Sequence, residues 1–239
     1  MLSSVELKFG RLLWTVAVTF YCGVFFRNFL VDAGSGRAGT WGIVLPVTAA
    51  MLLLLWMGVE YYLAAPFFQS GIVEPSRFLR TLFAFFVYPF VTYVVADYFW
   101  WKWTQFPFLS MPAGLLGLLV LGTGSYFRLA SLLALVRATS RQSRKERLGH
   151  AAVARADTLS QLPLQRLCRQ PRYLGTLLQL LGIALAFNSW GGLVLAAGIG
   201  LPLIWVQARE EDVRIGKSDP DGHNRYAARV PLLIPRYRR

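Results

Sequence analysis

The apolar residues of this 239-residue chain come in long continuous blocks, and this feature constrains its fold more than any other. A helix of about 20 apolar residues is long enough to cross the hydrocarbon core of a bilayer. Charged residues make up 15% of the chain, whereas about 25% is usual in soluble domains. The blocks and the low charge content together predict an all-α integral membrane protein rather than a soluble core.

Four apolar blocks predict a transmembrane scaffold over residues 1–136. The predicted spans are 12–30, 41–68, 78–100 and 112–136. Trp100, Trp101 and Trp103 follow the third span, and clustered tryptophans are typical of the membrane–water interface. Small residues allow helices to approach closely. In the fourth span they are Gly114, Gly117, Gly122 and Gly124.

Basic residues after the fourth span predict the orientation of the chain. Residues 137–168 carry many arginines and are predicted to form a basic cytoplasmic loop, because Lys and Arg are enriched on that side. After four crossings the N-terminus would be cytoplasmic as well. The excess of Arg over Lys hints at a bacterial inner membrane. The net charge of +13 then reflects topology, and we do not expect nucleic acid as a partner.

Residues 169–239 contain two further apolar runs, 176–187 and 193–206, separated by Asn188-Ser189-Trp190-Gly191-Gly192. This pattern predicts a helical hairpin with both ends cytoplasmic, followed by a cytoplasmic C-terminal tail. The whole chain would then be a polytopic bundle of about six helices.

Ionisable residues flank the open end of the predicted hairpin. Guanidinium groups precede its first arm and carboxylates follow its second arm, so we expect them to meet. These residues are Arg169, Arg172, Glu210, Glu211 and Asp212. On charge pattern alone, an anchoring ion-pair cluster explains them better than a binding site does.

The segment Arg169-Gln170-Pro171-Arg172-Tyr173-Leu174-Gly175 resembles the Arg-His-Pro-x-Tyr-x-Gly signature of the isoprenylcysteine carboxyl methyltransferase and phospholipid methyltransferase superfamily. In that family a Glu-Glu pair follows the hairpin, and a Tyr-x-x-x-Val-Pro-x-Leu-Ile-Pro-like tail ends the chain. Glu210-Glu211 and residues 226–235 correspond to these motifs here. The resemblance implies S-adenosylmethionine-dependent methyl transfer to a lipid or lipophilic small molecule at the cytoplasmic membrane face. The acceptor group would be a carboxylate, an amine or a thiol.

The resemblance also implies a cofactor site. It would comprise Arg169, Gln170, Tyr173, Leu174, Gly175, Glu210 and Glu211. The carboxylates would accept hydrogen bonds from the ribose hydroxyls or the methionine ammonium, and Arg169 would pair with the methionine carboxylate. Arg209 or Arg229 would act in catalysis by orienting an acidic acceptor.

Ionisable residues within predicted spans are costly, and they are usually paired or functional. Glu60 and Arg128 are expected in the cytoplasmic half, where they would pair or contact the substrate head group at the wall of an acceptor tunnel. Arg27 and Asp97 are expected near the outer face, where they could pair.

Departures from the family pattern keep two alternatives open. Gln170 replaces the signature histidine and lacks its titratable imidazole, and 218–223 is predicted to be a polar loop. An inactive relative acting as a scaffold or partner subunit would fit these changes. A membrane reductase of the sterol-reductase type would bind NADPH through Arg166, Arg169 and Arg172. However, the acidic pair would repel its phosphates.

Cysteine and histidine usage limits other chemistries. No Cys/His cluster has metal-ligand spacing, so no metal site is predicted. Cys168 could be a catalytic thiol because the adjacent Arg169 would lower its pKa, although a small residue in a helix-entry turn is the simpler interpretation.

Overall fold

The computed structural model describes residues 44–45, 47–55, 77–106, 110–145, 164–218 and 220–234, together with Gly23, Arg27 and Val31. Regular secondary structure in these ranges is helical, and the one β feature within them is an isolated antiparallel bridge between Gln105 and Ser189. The predicted all-α class is therefore confirmed.

The described ranges contain α1 (Arg77–Ala96), α2 (Ser110–Lys145), α3 (Pro171–Ala186), α4 (Trp190–Leu195), α5 (Leu201–Ser218) and α6 (Pro220–Arg229). A π-helical turn, Asp97–Trp101, continues α1, and a second, Ala196–Gly200, joins α4 to α5. A 3-10 turn, Leu164–Arg166, precedes α3. Residues 47–55 are also helical.

Two helical segments are long and apolar enough to cross a membrane. Met111–Ala134 lies in α2, and Trp190–Lys217 runs through α4, the π-helical turn and α5. Both segments expose large apolar side chains, such as Leu119 (70%) and Val194 (59%). The three predicted interfacial tryptophans are exposed as well. Because large apolar patches are uncommon on water-exposed surfaces, these features support membrane association, though two such helices are weak support.

The fourth predicted span ends later than its hydropathy indicates. Helix α2 continues past residue 136 to Lys145, so the first basic residues of the predicted loop 137–168 are helical. The sequence from 137 to 145 contains no Gly or Pro, and Arg, Lys, Gln and Ala are good helix formers. Hydropathy marks the end of an apolar face, whereas helix-breaking residues mark the end of a helix.

The region between the second hairpin arm and the tail also differs from its prediction. Residues 218–223, predicted to be a loop, contain the end of α5 and the beginning of α6. Pro220 starts α6, which suits proline because the first turn of a helix leaves its N–H groups unpaired. Gly222, His223 and Tyr226 form the buried face of this short helix.

Helices α2 and α3 approach closely because glycines face each other across the contact. A Cβ at Gly124 would lie 2.7 Å from the Gly175 carbonyl oxygen, and one at Gly182 would lie 2.7 Å from Leu121 Cα. Gln179 donates to Ser125 Oγ across the same contact at 3.0 Å. Gly114 and Gly117 are also close-packed. Gly122, the fourth predicted packing residue, instead faces open space.

The turn of the hairpin is fixed by Asp97, which is fully buried. Its Oδ1 accepts hydrogen bonds from the backbone N–H groups of Trp103 and Thr104 at 2.9 and 3.1 Å. Its Oδ2 accepts from the hydroxyls of Thr104 and Ser189 at 2.6 and 3.1 Å. Ser189 also caps α4 by accepting from the Gly192 N–H at 3.1 Å. Asp97 is therefore bound to the hairpin turn rather than to Arg27, which is exposed.

Replacing Gly124 by alanine tests the α2–α3 contact. The added Cβ would meet backbone atoms of α3 at 2.7 and 2.8 Å, which cannot move without shifting the helix. We expect G124A to lower the free energy of unfolding by about 1–3 kcal/mol, the usual cost of overpacking. Unfolding in detergent micelles, followed by circular dichroism, measures this loss.

Gly122→Ala is the matched control, because it makes the same change on the same helix with no atom of the described residues within 4 Å of the added Cβ. It should be neutral or slightly stabilising, since alanine favours helix by about 1 kcal/mol over glycine. Equal effects of the two substitutions would contradict the close contact.

Candidate functional site

A shielded ion pair joins the start of α3 to α5. Arg172 Nη2 donates to Glu211 Oε2 at 2.7 Å and to the Tyr173 hydroxyl at 3.2 Å. The Arg172 guanidinium carbon also lies 4.9 Å from the centre of the Tyr173 ring. The side chains of Arg172 and Glu211 are only 15% and 16% exposed, so bulk water screens this charge-assisted contact weakly.

A second ion pair adds α6 to the same cluster. Arg169, in the turn before α3, hydrogen-bonds Asp212 Oδ2. The same oxygen lies 3.5 Å from His223 Nε2 on α6. The His223 ring packs against the backbone of Gly216, where a Cβ would lie 2.9 Å from its Cδ2 atom. Asp212 is therefore the residue at which the entry to α3, helix α5 and helix α6 meet.

The C-terminal tail holds the turn that carries the signature. The backbone N–H of Arg169 donates to the Pro231 carbonyl at 2.8 Å, and that of Gln170 donates to the Leu232 carbonyl at 3.0 Å. The Tyr226 hydroxyl donates to the Gln165 carbonyl at 2.7 Å. The tail motif thus has a direct structural role, because its carbonyls satisfy the N–H groups just before α3.

Three buried polar atoms of this cluster have no hydrogen-bond partner within the described part of the chain. They are Gln165 Oε1, Arg169 Nε and His223 Nδ1. A buried polar group without a partner costs about 1–3 kcal/mol, so their concentration in one cluster indicates a place for bound polar groups. Arg169 Nε–H offers a donor there and Gln165 Oε1 offers an acceptor.

The predicted cofactor residues divide into two groups. Arg169, Tyr173 and Glu211 come together in the cluster, as the hairpin prediction requires. Leu174 packs against the hydrophobic core, and Gly175 contacts α2. Leu174 and Gly175 therefore contribute packing that positions the first turn of α3.

The remaining cofactor predictions lie at the edges of the cluster. Gln170 is buried as the residue that precedes α3. Glu210 pairs with Arg214 one helical turn away at 3.2 Å and is 32% exposed. It is therefore the more accessible member of the acidic pair.

The predicted catalytic and substrate residues are more dispersed. Arg209 on α5 and Arg229 at the end of α6 are both exposed. Arg128 on α2 hydrogen-bonds the Thr176 hydroxyl, and that hydroxyl donates to the Arg172 carbonyl at 3.1 Å. Arg128 is thus linked to the first turn of α3, while Glu60 lies outside the described residues.

Two residues of the cluster, Asp212 and His223, lie outside the predicted cofactor site. Asp212 is predicted only as one of the carboxylates that meet the guanidinium groups, and His223 is predicted to lie in a loop. A sequence pattern that predicts the position of His223 does exist. The spacing of Gly222, His223 and Tyr226 after Pro220 places all three on one face of a short helix.

Cys168 is fully buried beside this cluster. Burial raises the pKa of its thiol to about 11, although a hydrogen bond with the Gln170 backbone opposes the change. The neighbouring Arg169 is bound to Asp212. Desolvation therefore argues against an activated thiolate and favours the interpretation of Cys168 as a small buried residue in a helix-entry turn.

Comparisons with protein-family models, with curated proteins and with solved structures found no match to this chain. The family suggested by the signature therefore stays a prediction. The geometry of the cluster is the basis for the functional argument below.

The alkylation rate of the buried Cys168 thiol tests whether the cluster is shielded from water. In a Cys22→Ser background, only Cys168 can react with iodoacetamide. Raising the pKa from 9.0 to about 11 lowers the thiolate fraction at pH 8 by about a hundredfold, and the thiolate is the reactive form. We expect slow alkylation that accelerates as the pH rises towards 11, measured by intact mass spectrometry.

The detergent-denatured protein provides the control and should react at the rate of a free thiol. Alkylation of the folded protein at that rate at pH 8 would contradict the burial of Cys168.

Proposed function

We propose that this chain is a membrane-embedded methyltransferase that uses S-adenosylmethionine to methylate a lipid or other lipophilic small molecule at the cytoplasmic face. The observation that carries the proposal is the buried cluster in which the signature residues Arg169, Arg172 and Tyr173 meet Glu211 and Asp212. This cluster joins the three motifs of the resemblance, since the tail also binds it through backbone hydrogen bonds.

The unpartnered polar atoms fit the methionine end of this cofactor. Arg169 Nε–H is a donor suited to a carboxylate, and Gln165 Oε1 is an acceptor suited to an ammonium. Glu210 lies nearest the solvent among the acidic residues of α5 that pair with arginine, and it is suited to ribose hydroxyls. The cofactor supplies the methyl group, and the chain's part is to align it with the acceptor.

The charge balance favours this cofactor over NADPH. Arg169 and Arg172 are both neutralised by carboxylates, Asp212 and Glu211. A phosphate-binding site instead needs guanidinium groups that are free to contact phosphate oxygens. The acidic residues would oppose such a ligand, whereas they attract the positively charged sulfonium of S-adenosylmethionine.

The membrane arrangement is part of the proposal. Residues 1–136 would form a four-helix scaffold, 137–168 a basic cytoplasmic region, and 169–239 the hairpin and cofactor-binding tail. Both termini would be cytoplasmic, in a bacterial inner membrane. Support comes from the two apolar helical segments and from the basic residues that follow the first of them.

Calorimetric titration of the detergent-solubilised full chain with S-adenosylhomocysteine tests the cofactor. We expect a dissociation constant on the order of micromolar. Glu211→Gln should weaken binding about 10–100-fold, or about 1.4–2.8 kcal/mol, because it leaves the shielded Arg172 guanidinium without its carboxylate. Glu210→Gln should also weaken binding, by removing the acceptor for the ribose.

Lys217→Gln is the matched control, because it removes a charge from an exposed position in the last turn of the same helix. It should bind like the wild type. Absence of binding to a folded wild-type protein would overturn the proposal, and binding of NADPH alone in a parallel titration would favour a reductase.

A further inference from the structure

We infer that His223 and Asp212 form a proton-accepting pair, and that the methyl acceptor is therefore an amine or a thiol rather than a carboxylate. The inference rests on the proposed methyl transfer and deepens it by naming the class of acceptor. His223 lies between the acidic pair and the tail motif in sequence, so the resemblance assigns it no role.

The position of Asp212 determines which nitrogen of His223 can accept a proton. Nε2 lies 3.5 Å from Asp212 Oδ2, a charge contact longer than a usual hydrogen bond, and a nearby carboxylate favours the N–H on the nitrogen that faces it. Nδ1 then retains its lone pair. It is buried and without a partner in the described ranges, on a residue that is only 9% exposed.

The surroundings hold the imidazole in this orientation. Gly216 on α5 allows the ring to lie against the helix backbone. The charged and titratable groups around it are Asp212 from α5, Arg169 from the entry to α3 and Tyr226 from its own helix. Burial raises the pKa of Tyr226, so its phenol stays protonated and donates to the Gln165 carbonyl.

The chemistry of methyl transfer explains why such a base would matter. The acceptor nitrogen or sulfur forms a bond to the methyl carbon, and the bond from that carbon to the sulfonium sulfur breaks with its electrons remaining on sulfur. An amine is an ammonium ion at neutral pH, so the amine, like a thiol, must lose a proton before its lone pair can attack; His223 Nδ1 accepts that proton, and Asp212 stabilises the resulting imidazolium. A carboxylate is already ionised at neutral pH and needs no base.

The positions of the two arginines predicted to orient an acidic acceptor are consistent with an amine or thiol acceptor. Arg209 and Arg229 are exposed on α5 and α6, and the two arginines inside the cluster are bound to carboxylates. The described cluster therefore provides an unpartnered basic nitrogen, whereas its two arginine charges are already balanced by carboxylates and Arg169 Nε–H is the donor proposed for the methionine carboxylate.

Imidazole nitrogen NMR tests the pair without any turnover. The chain has two histidines, His150 and His223, so His150→Gln leaves one labelled imidazole in the detergent-solubilised full chain. At a pH where the ring is neutral, we expect the proton on Nε2 and none on Nδ1, and Asp212→Asn should remove this preference. A proton on Nδ1 in the wild-type site would overturn the inference.

A panel of single-chain acceptors tests the substrate class. Hexadecylamine, hexadecanethiol and palmitate are offered with methyl-labelled S-adenosylmethionine. We expect transfer to the amine or the thiol and none to palmitate. His223→Gln keeps an amide beside Asp212 but has no basic nitrogen, so the rate should fall about 10²–10⁴-fold.

The outcomes separate this inference from the proposed function. Transfer only to palmitate, transfer to none of the three, or an unchanged rate in H223Q would overturn the His223 inference. If H223Q and the wild type both bind S-adenosylhomocysteine, the proposed cofactor stands in each of these cases. If the wild type does not bind it, the proposed function itself is wrong, while the NMR result still reports on the pair.

Discussion

The ion pairs Arg169–Asp212 and Arg172–Glu211 connect the start of α3 to α5, and the arrangement of the candidate site depends on them. Moving two charges out of water costs free energy that their attraction only partly offsets. A shielded pair is therefore a weak source of stability, and its position must be fixed by other contacts. Those contacts are the backbone hydrogen bonds of the tail on one side and the packing of α3 on α2 on the other.

The two ends of the hairpin use polar groups in different ways. At the turn, Asp97 is fully buried and its oxygens accept four hydrogen bonds. At the open end, the carboxylates are partly exposed, and three nearby polar atoms have no partner among the described residues, whereas the turn has one such atom, Asn188 Oδ1. A saturated buried group fixes a structure, whereas an unsaturated cluster has capacity to bind a ligand. This contrast places the candidate site at the open end.

The hairpin and the meeting of its charged ends could be predicted from the sequence. Two apolar runs around Asn188-Ser189-Trp190-Gly191-Gly192 indicate antiparallel helices, and opposite charges at the outer ends of those runs must then face each other. Asn188 adopts a left-handed conformation, with φ of 58°, that asparagine tolerates better than most residues. These features depend on local sequence, which is why the sequence predicts them.

Other parts of the site depend on tertiary contacts that leave a faint local signal. The polar run 218–223 has the composition of a loop, and only packing against α5 makes part of it the start of α6. The activated thiolate considered for Cys168 fails for a related reason, because sequence shows the adjacent Arg169 but not the desolvation of the thiol. The simpler interpretation, a small residue in a helix-entry turn, agrees with its burial. Residue type and neighbours predict chemistry poorly when desolvation is the larger effect.

The cluster contains an imidazole although Gln170 stands at the position that resembles the signature histidine. Gln170 is buried, and its backbone is bound to the tail, so the turn keeps its geometry without an imidazole. His223 brings an imidazole to the same cluster from α6, next to the carboxylate that binds Arg169. Under the proposed function, loss of the signature histidine therefore does not by itself imply loss of activity. In that proposal the base would be His223 on α6, rather than a residue in the turn before α3.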